Sequence, residues 1–208
     1  SSATIQQCNF FSTHNNIINI NYTSREKDLL EQIQRSDHRF LKDNADFFLG
    51  IVTGSNDRFL SREKDDATPD PIIIGKDVSR YSISYSGHHF KYDPKQLQQV
   101  APLKYYEQKN KILYKFIGKR LAFAIDREGY FTLNNVNGFI PKFDWICSES
   151  LIAILNSTLM QYYYEKNFFT VKVLRGNLEK LPIKRISKEA DRLLRELAQQ
   201  AMEDGTQE

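Results

Sequence analysis

The sequence predicts an α+β domain, a mixed and curved β-sheet with helices packed around it. Three observations carry this expectation. Apolar runs of strand length, rich in branched and aromatic residues, recur at 47–52, 72–74, 111–117 and 121–125. Helical periodicity is concentrated near the start and in the last third of the chain, whereas a regular βαβ array places a helix after every strand. No internal repeat is visible, which argues against a helical solenoid.

In chain order, Ile17, Ile18, Ile20 and Tyr22 among asparagines read as a strand or ordered arm. A helix follows, capped by the hydroxyl of Thr23 or Ser24, with Leu29, Leu30 and Ile33 as its apolar stripe. Phe47-Phe48-Leu49-Gly50-Ile51-Val52 is an apolar strand that enters the polar Thr53-Gly54-Ser55-Asn56-Asp57, where Gly50 and Gly54 allow close backbone approach. An exposed loop over 62–67 ends at Pro69 and Pro71. Ile72-Ile73-Ile74 fits a strand buried on both faces and leaves through Gly75-Lys76-Asp77 toward Arg80. The alternation Ser82-Ile83-Ser84-Tyr85-Ser86 predicts a half-exposed strand, and 94–100 a helix. Residues 111–125 form a basic, aromatic β region that turns at Asp126-Arg127-Glu128-Gly129 and resumes with Tyr130-Phe131-Thr132-Leu133. One long helix is expected over 148–164, with Leu151, Ile152, Leu155, Leu159, Tyr162 and Tyr163 recurring mainly three or four apart. A last helix over 187–202 turns Ala190, Leu193, Leu194 and Leu197 inward, and the acidic end beyond it frays.

The chain has 208 residues, of which 40 % are hydrophobic, enough for a sizeable core. Fourteen phenylalanines and eleven tyrosines suit packed strands. Cys8 and Cys147 are too few and too far apart for a disulfide scaffold or a metal cluster, so a reduced, cytoplasmic setting is expected. No apolar run approaches the roughly 18 residues of a membrane span, and Ser-Ser-Ala-Thr is not a secretion signal; the missing initiator methionine suggests an excised fragment. The net charge of +3 is unevenly distributed: residues 75–120 carry a balance of +7, and 166–188 carry seven basic residues against Glu179 alone. Residues 189–208 carry −4. This pattern lets one face approach phosphates while another stays solvated.

No catalytic, cofactor or metal site is assigned. Of His14, His38, His88 and His89 only the last two are close in sequence, and strand neighbours point to opposite faces. The Gly50–Gly54 segment lacks the third glycine of a dinucleotide fingerprint and the Lys-Ser/Thr end of a nucleotide-phosphate loop, and no Gly-x-Ser-x-Gly elbow occurs. Asp70 with Glu107 and Lys109 gives a two-piece approximation to a metal-dependent nuclease, weakened by the wide gap and by the prolines flanking Asp70.

Five segments in fixed order are more informative: Gly50-Ile51-Val52-Thr53-Gly54 with Asn56, Pro71 through Asp77, Lys111-Ile112-Leu113, Leu155-Asn156-Ser157, and Leu174 through Ile183. The ensemble resembles the TaqI-like C-terminal specificity domain of adenine-specific DNA methyltransferases and fused type II restriction-modification enzymes, and more distantly the recognition halves of multi-subunit specificity proteins. The resemblance implies a target-recognition domain over 45–185, preceded by an arm and helical annex (1–44) and followed by a C-terminal helix with acidic tail (186–208). Its implied partners are double-stranded DNA and an attached or associated methyltransferase domain, not a membrane.

S-adenosylmethionine would serve the parent enzyme, with Mg2+ if a nuclease is fused, and neither belongs to this fragment. The chain departs from a complete methyltransferase in lacking the Asn/Asp-Pro-Pro-Phe/Tyr motif and a glycine-rich cofactor loop. On this reading Thr53, Ser55, Asn56 and Lys76 form a reading rim with Arg80 nearby, while Lys111, Lys115, Lys119 and Arg120 contact phosphates. Arg175 and Lys180 brace the closing loop, and Asn156 is a structural hydrogen-bonding group. The rival expectation is a protein-interaction module of a restriction complex.

Overall fold

The computed structural model describes residues 24–65, 67–168 and 170–205, so the expected arm at 17–22, Cys8 and His14 lie outside the described residues. The chain divides into two units, Ser1–Ser36 and Asp37–Glu208. In the first, helix α1 spans Ser24–Arg35, with Leu30 buried and Arg35 bonded to Glu31 one turn back at 2.8 Å.

In the second unit the strands are β1 (His38–Phe40), β2 (Ala45–Phe48), β3 (Asp70–Ile73), β4 (His89–Phe90), β5 (Lys111–Lys115), β6 (Phe123–Asp126), β7 (Phe131–Thr132), β8 (Val136–Pro141) and β9 (Pro182–Lys184). The helices are α2 (Asn56–Phe59), α3 (Leu103–Glu107), α4 (Ser148–Leu155), α5 (Thr158–Asn167), α6 (Arg175–Leu178) and α7 (Lys188–Asp204). The predicted α+β class is what the structure shows. The strands are divided among three sheets: antiparallel β2-β8-β5-β6, mixed β4-β3-β7, and the antiparallel pair β1-β9.

Chain direction explains the division. After the turn at 126–130 the chain does not continue the β5-β6 meander. Phe131 and Thr132 pair in parallel with Ile72 and Ile73, and a tight turn closed by Val136 N–H donating to Leu133 O at 2.7 Å then delivers β8 to the four-stranded sheet. The core joins the two sheets: Phe48, Ile51, Ile72, Ile73, Val78, Phe90, Tyr106, Leu113 and Val136 are buried in one cluster. Each such aliphatic side chain is worth about 1.5–3 kcal/mol relative to exposure. Gly50 is required where β2 ends, because a Cβ there would collide with the carbonyl oxygens of Leu133 and Val136. Its N–H donates to Asn137 Oδ1 at 2.9 Å, fixing that close approach.

Four expectations need correction. The long helix over 148–164 is two helices: Asn156 ends α4, and Ser157 adopts extended backbone and caps α5 by accepting from Met160 N–H. Residues 94–100 form turns, because the Asp93 carboxylate accepts from Lys95 N–H and Gln96 Nε2, and Gln99 pairs with Val52. The 82–86 alternation yields a single bridge, Val78 to Ile83, rather than a strand. On α7 the buried residue is Ala198; Leu193 and Leu197 are 48 % and 61 % exposed. Its N-terminal turn is held instead by polar bonds, Cys147 N–H to Asp191 Oδ1 and Ser150 Oγ to Asp191 O. Among the described residues no helix is long and apolar enough to cross a membrane.

Candidate nucleic-acid interface

Three segments run side by side in the same direction. β3 lies beside β7, and β7 continues beside Ile51, which forms a parallel bridge with Leu133. Leu133 N–H donates to Ile73 O, Ile51 N–H to Thr132 O and Asn134 N–H to Ile51 O, all within 2.7–2.9 Å. Parallel neighbours share a carboxyl end, so the chain leaves all three at one edge, through Thr53–Asn56, Gly75–Lys76 and Asn134–Asn135. The crevice outside the carboxyl ends of parallel strands is where side chains on loops most readily meet a ligand.

This edge gathers three of the predicted reading residues with their side chains outward. Among the described residues Ser55 and Lys76 are exposed with no hydrogen-bond or ion-pair partner for their side chains, and Asn56 is exposed as the first residue of α2. Thr53 is a correction. It is buried, and its hydroxyl donates to Asn56 Oδ1 at 2.7 Å, so it orients Asn56 and does not reach a ligand. The bond occupies one lone pair of Asn56 and leaves its Nδ2 donors outward. Gly54 makes the turn between them at φ +80°, a conformation only glycine adopts cheaply.

Arg80 is a second correction. Its Nη2 donates to Asn156 O at 2.6 Å, and its buried Nε faces the interior, so it braces the fold instead of lining the rim. Asn156 itself behaves as the sequence indicated. Its amide clasps Phe123 of β6, accepting from Phe123 N–H at 3.0 Å and donating to Phe123 O at 2.9 Å. Phe123 O also accepts from Tyr81 N–H, with Tyr81 held at φ 70°, so this knot ties 80–81, β6 and the α4–α5 junction together.

Lys111 is the clearest correction. Strand register places it opposite Asp126, and both side chains are fully buried, with Lys111 Nζ 2.5 Å from Asp126 Oδ2. The ammonium also donates to Tyr106 O at 2.6 Å and Gln108 O at 3.2 Å. Burial pushes its pKa down, and the facing carboxylate only partly offsets that. Asp126 further accepts from the amides of Glu128, Gly129 and Tyr130, so the pair organises the β6–β7 turn and offers nothing to phosphate.

The other cations lie elsewhere. Lys119 and Arg120 are exposed on the β5–β6 connection, Lys115 is half-buried at the end of β5, and none of the three has an acidic partner among the described residues. This connection is stiffened by a short ladder: Val173 N–H donates to Phe116 O at 2.7 Å, Ile117 bridges Lys172, and Gly118 N–H donates to Val171 O at 3.3 Å. Phe116 N–H donates to Asn135 O, and Asn135 Oδ1 accepts from Gly75 N–H at 2.9 Å. A continuous hydrogen-bonded path thus links the basic ladder to the polar edge.

Sequence reasoning missed Asn134 as an edge residue. Asn134 is exposed on the edge, and among the described residues both halves of its amide are unpartnered. The Asn134-Asn135 pair ahead of Gly138 is a turn signal that was readable, but its place beside Gly75 depends on the parallel pairing. Arg175 and Lys180 fit the bracing expectation in part: Arg175 pairs with Glu179 at 2.7 Å and lies over the Phe47 ring at 5.4 Å. His88 and His89 bond locally, to Ser86 Oγ and Tyr85 Oη, and burial together with Arg62 lowers the His88 pKa. Asp70 accepts from Tyr92 N–H at 2.9 Å across the β3–β4 pair. Among the described residues no three His, Cys, Asp or Glu side chains converge to hold a metal.

Comparison with known proteins gives the same frame. The model of the TaqI-like C-terminal specificity domain matches residues 70–183, more than half of the chain. Among solved structures, the HsdS subunit from Thermoanaerobacter tengcongensis is similar with a TM-score of 0.52 at 14 % identity, over 86 % of this chain and 44 % of that one. A type I restriction-modification S subunit from M. genitalium gives a TM-score of 0.47 at 14 % identity, over 88 % and 44 %. At such identity the first likeness is one of fold. The chain spans less than half the length of these structures. No curated protein sequence matches it.

Proposed function

Because the chain belongs to the family of TaqI-like C-terminal specificity domains, we propose that it reads the sequence of double-stranded DNA on behalf of an adenine-N6 methyltransferase in a restriction-modification system. The observation that carries this reading is the shared edge, where parallel segments deliver Ser55, Asn56 and Lys76 together, backed by the basic connection that bears Lys115, Lys119 and Arg120. Amide and ammonium groups suit base edges in the major groove, at about 1–3 kcal/mol for each good bidentate pair. Exposed cations without acidic partners suit phosphates, where they set register and salt-dependent affinity without carrying sequence.

In this role the chain performs no chemistry. The methyltransferase domain, attached or associated, binds S-adenosylmethionine and receives the flipped adenine; Mg2+ enters only where a nuclease accompanies it. The setting is cytoplasmic. The exposed Leu193 and Leu197, one turn apart on α7, favour a second role as a contact line for that partner.

The test is selection of the 208-residue chain on randomised duplex DNA, followed by competition binding across a salt series. An enriched motif is expected, and Lys119→Ala or Arg120→Ala should each lower the salt slope by about 1 without changing the motif. Salt-sensitive binding without enrichment, or no binding, overturns the reading.

A further inference from the structure

The polar edge has a fourth segment beside the three parallel ones. Ile51 bonds toward β7, donating to Thr132 O and accepting from Asn134 N–H. Val52 turns its peptide groups the opposite way: its N–H donates to Gln99 O at 2.8 Å, and its carbonyl accepts from Gln98 N–H at 2.9 Å and Gln99 N–H at 3.1 Å. Residues 98–99 therefore flank the 51–53 segment on the side away from β7 and β3, just where that segment enters Gly54 and Ser55.

Gln98 is exposed there, and its side chain runs alongside Gly54: a Cβ built on that glycine would stand 3.8 Å from Gln98 Cβ and 3.6 Å from its Oε1. Among the described residues neither half of the Gln98 amide has a partner. The main chain beneath it is tied to Val52 by three hydrogen bonds, so the side chain is presented from fixed backbone. Asn56 differs, because its Oδ1 is already taken by the Thr53 hydroxyl.

An amide free at both ends offers one acceptor and two donors side by side. In the major groove guanine shows two acceptors, cytosine one donor, and thymine one acceptor with a methyl group; only adenine sets an acceptor, N7, next to a donor, the N6 amino group. A phosphate would use the donor half of the amide and leave the acceptor unpaired.

We propose that Gln98 reads an adenine in the major groove, Nε2 donating to N7 and Oε1 accepting from the N6 amino group. This rests on the DNA-reading function proposed above and names one base and the residue that selects it.

The test uses the 208-residue chain and the duplex enriched by selection, with each adenine replaced in turn by 7-deazaadenine, which removes the N7 acceptor and keeps the base pair. The wild-type chain should lose about fivefold in affinity at one adenine, the worth of one hydrogen bond. Gln98→Ala should bind that duplex and its 7-deazaadenine counterpart equally, lose selection at that position alone and keep the salt slope. Gln98→Glu, whose carboxylate only accepts, should shift selection there toward cytosine through the N4 amino group. Both substitutions leave the backbone bonds to Val52 in place, so Tm should stay within about 2 °C of the parent.

A wild-type chain that enriches no motif overturns the DNA-reading function itself. A motif without adenine, or one whose adenines all tolerate the 7-deaza base, overturns this inference and leaves that function standing. Adenine preference undiminished in Gln98→Ala overturns it too. So does an equal loss on every duplex together with a lower Tm, which would make Gln98 a structural residue, and so does relaxation confined to a position that is not adenine.

Discussion

Replacing Lys111 by methionine separates a structural cation from a DNA-binding one. The ammonium has three oxygen partners, Asp126 Oδ2, Tyr106 O and Gln108 O, and neither it nor the carboxylate has any exposed surface. Methionine fills a similar volume but strands the Asp126 charge. Breaking one side of a buried pair costs about 3–5 kcal/mol. The amides of Glu128, Gly129 and Tyr130 still hold the carboxylate, which favours the lower end, about 3 kcal/mol. For a domain of this size that is a fall in Tm of roughly 6–12 °C.

Lys111→Met with Asp126→Asn removes the stranded charge and should recover about 1–2 kcal/mol of the loss. The pH dependence has a definite sign. Burial lowers the Lys111 pKa, so the unfolded chain holds that proton more firmly, and the group's contribution to stability rises with pH between the folded pKa and 10.5. Lys111→Met removes that rise. The assays are thermal and urea melts beside a duplex-binding salt series. A Tm within about 2 °C of the parent, together with weaker, less salt-sensitive duplex binding, would refute the structural assignment and return Lys111 to the phosphate contacts.

Asn156→Ala removes both bonds to Phe123 and leaves a buried N–H without a partner, so urea melts should show a loss of about 2–4 kcal/mol. Tyr106 is pushed up to about 12, chiefly by burial, so its contribution is present below pH 10 and lost as pH rises through 12. Relative to the parent, Tyr106→Phe should flatten that alkaline loss by on the order of 2–3 kcal/mol in melts at pH 10 and 12, and a variant that still loses stability in parallel with the parent would rule the assignment out. Asn134→Ala and Asn56→Ala should each relax the selected motif at a different position, with the larger effect from Asn134, whose amide has no partner for donor or acceptor among the described residues. Equal motifs for all three proteins would remove both residues from readout.

The parts of the fold that were legible are those set by local chemistry. Ile72 and Ile73 of β3 are fully buried as their run indicated, with Ile74 half-buried just past its end, the turn after Asp126 falls where glycine and charge place it, and Ser187 caps α7 by accepting from Ala190 N–H. What was not legible depends on register. Lys111 and Lys115 look alike in Lys-Ile-Leu-Tyr-Lys, and only the pairing of β5 with β6 sets Asp126 opposite the first. The apolar spacing across 148–164 runs through Asn156-Ser157 without a break, because the residues that split the helix do so by bonding to Phe123 and Met160 N–H. On α7 the leucines satisfied helical spacing, yet the helix is seated through Asp191 and Ala198, leaving Leu193 and Leu197 outside. The polar edge was half visible: its loops could be found, but their meeting depends on a parallel pairing between segments some sixty residues apart, such as Gly75 and Asn135.

That edge has a division of labour with consequences for how the chain varies. Four amide side chains hold backbone from behind: Asn137 accepts from Gly50 N–H, Asn135 from Gly75 N–H, Asn156 from Phe123 N–H and Gln161 from Leu121 N–H. Each fixes the stem of a segment that leads to the edge or to the basic connection. The side chains beyond those stems, Ser55, Lys76, Asn134, Lys119 and Arg120, are outward and carry no internal load. Substitution at such exposed positions typically moves stability by no more than about 0.5 kcal/mol, whereas loss of one of the three buried anchors, Asn137, Asn156 or Gln161, leaves an amide unpartnered at about 1–3 kcal/mol; Asn135 is itself exposed. Anchors and tips therefore respond to different pressures. On the proposed function, a fold built this way changes the DNA sequence it reads by replacing tips, while the stems that aim them stay where the anchoring amides hold them.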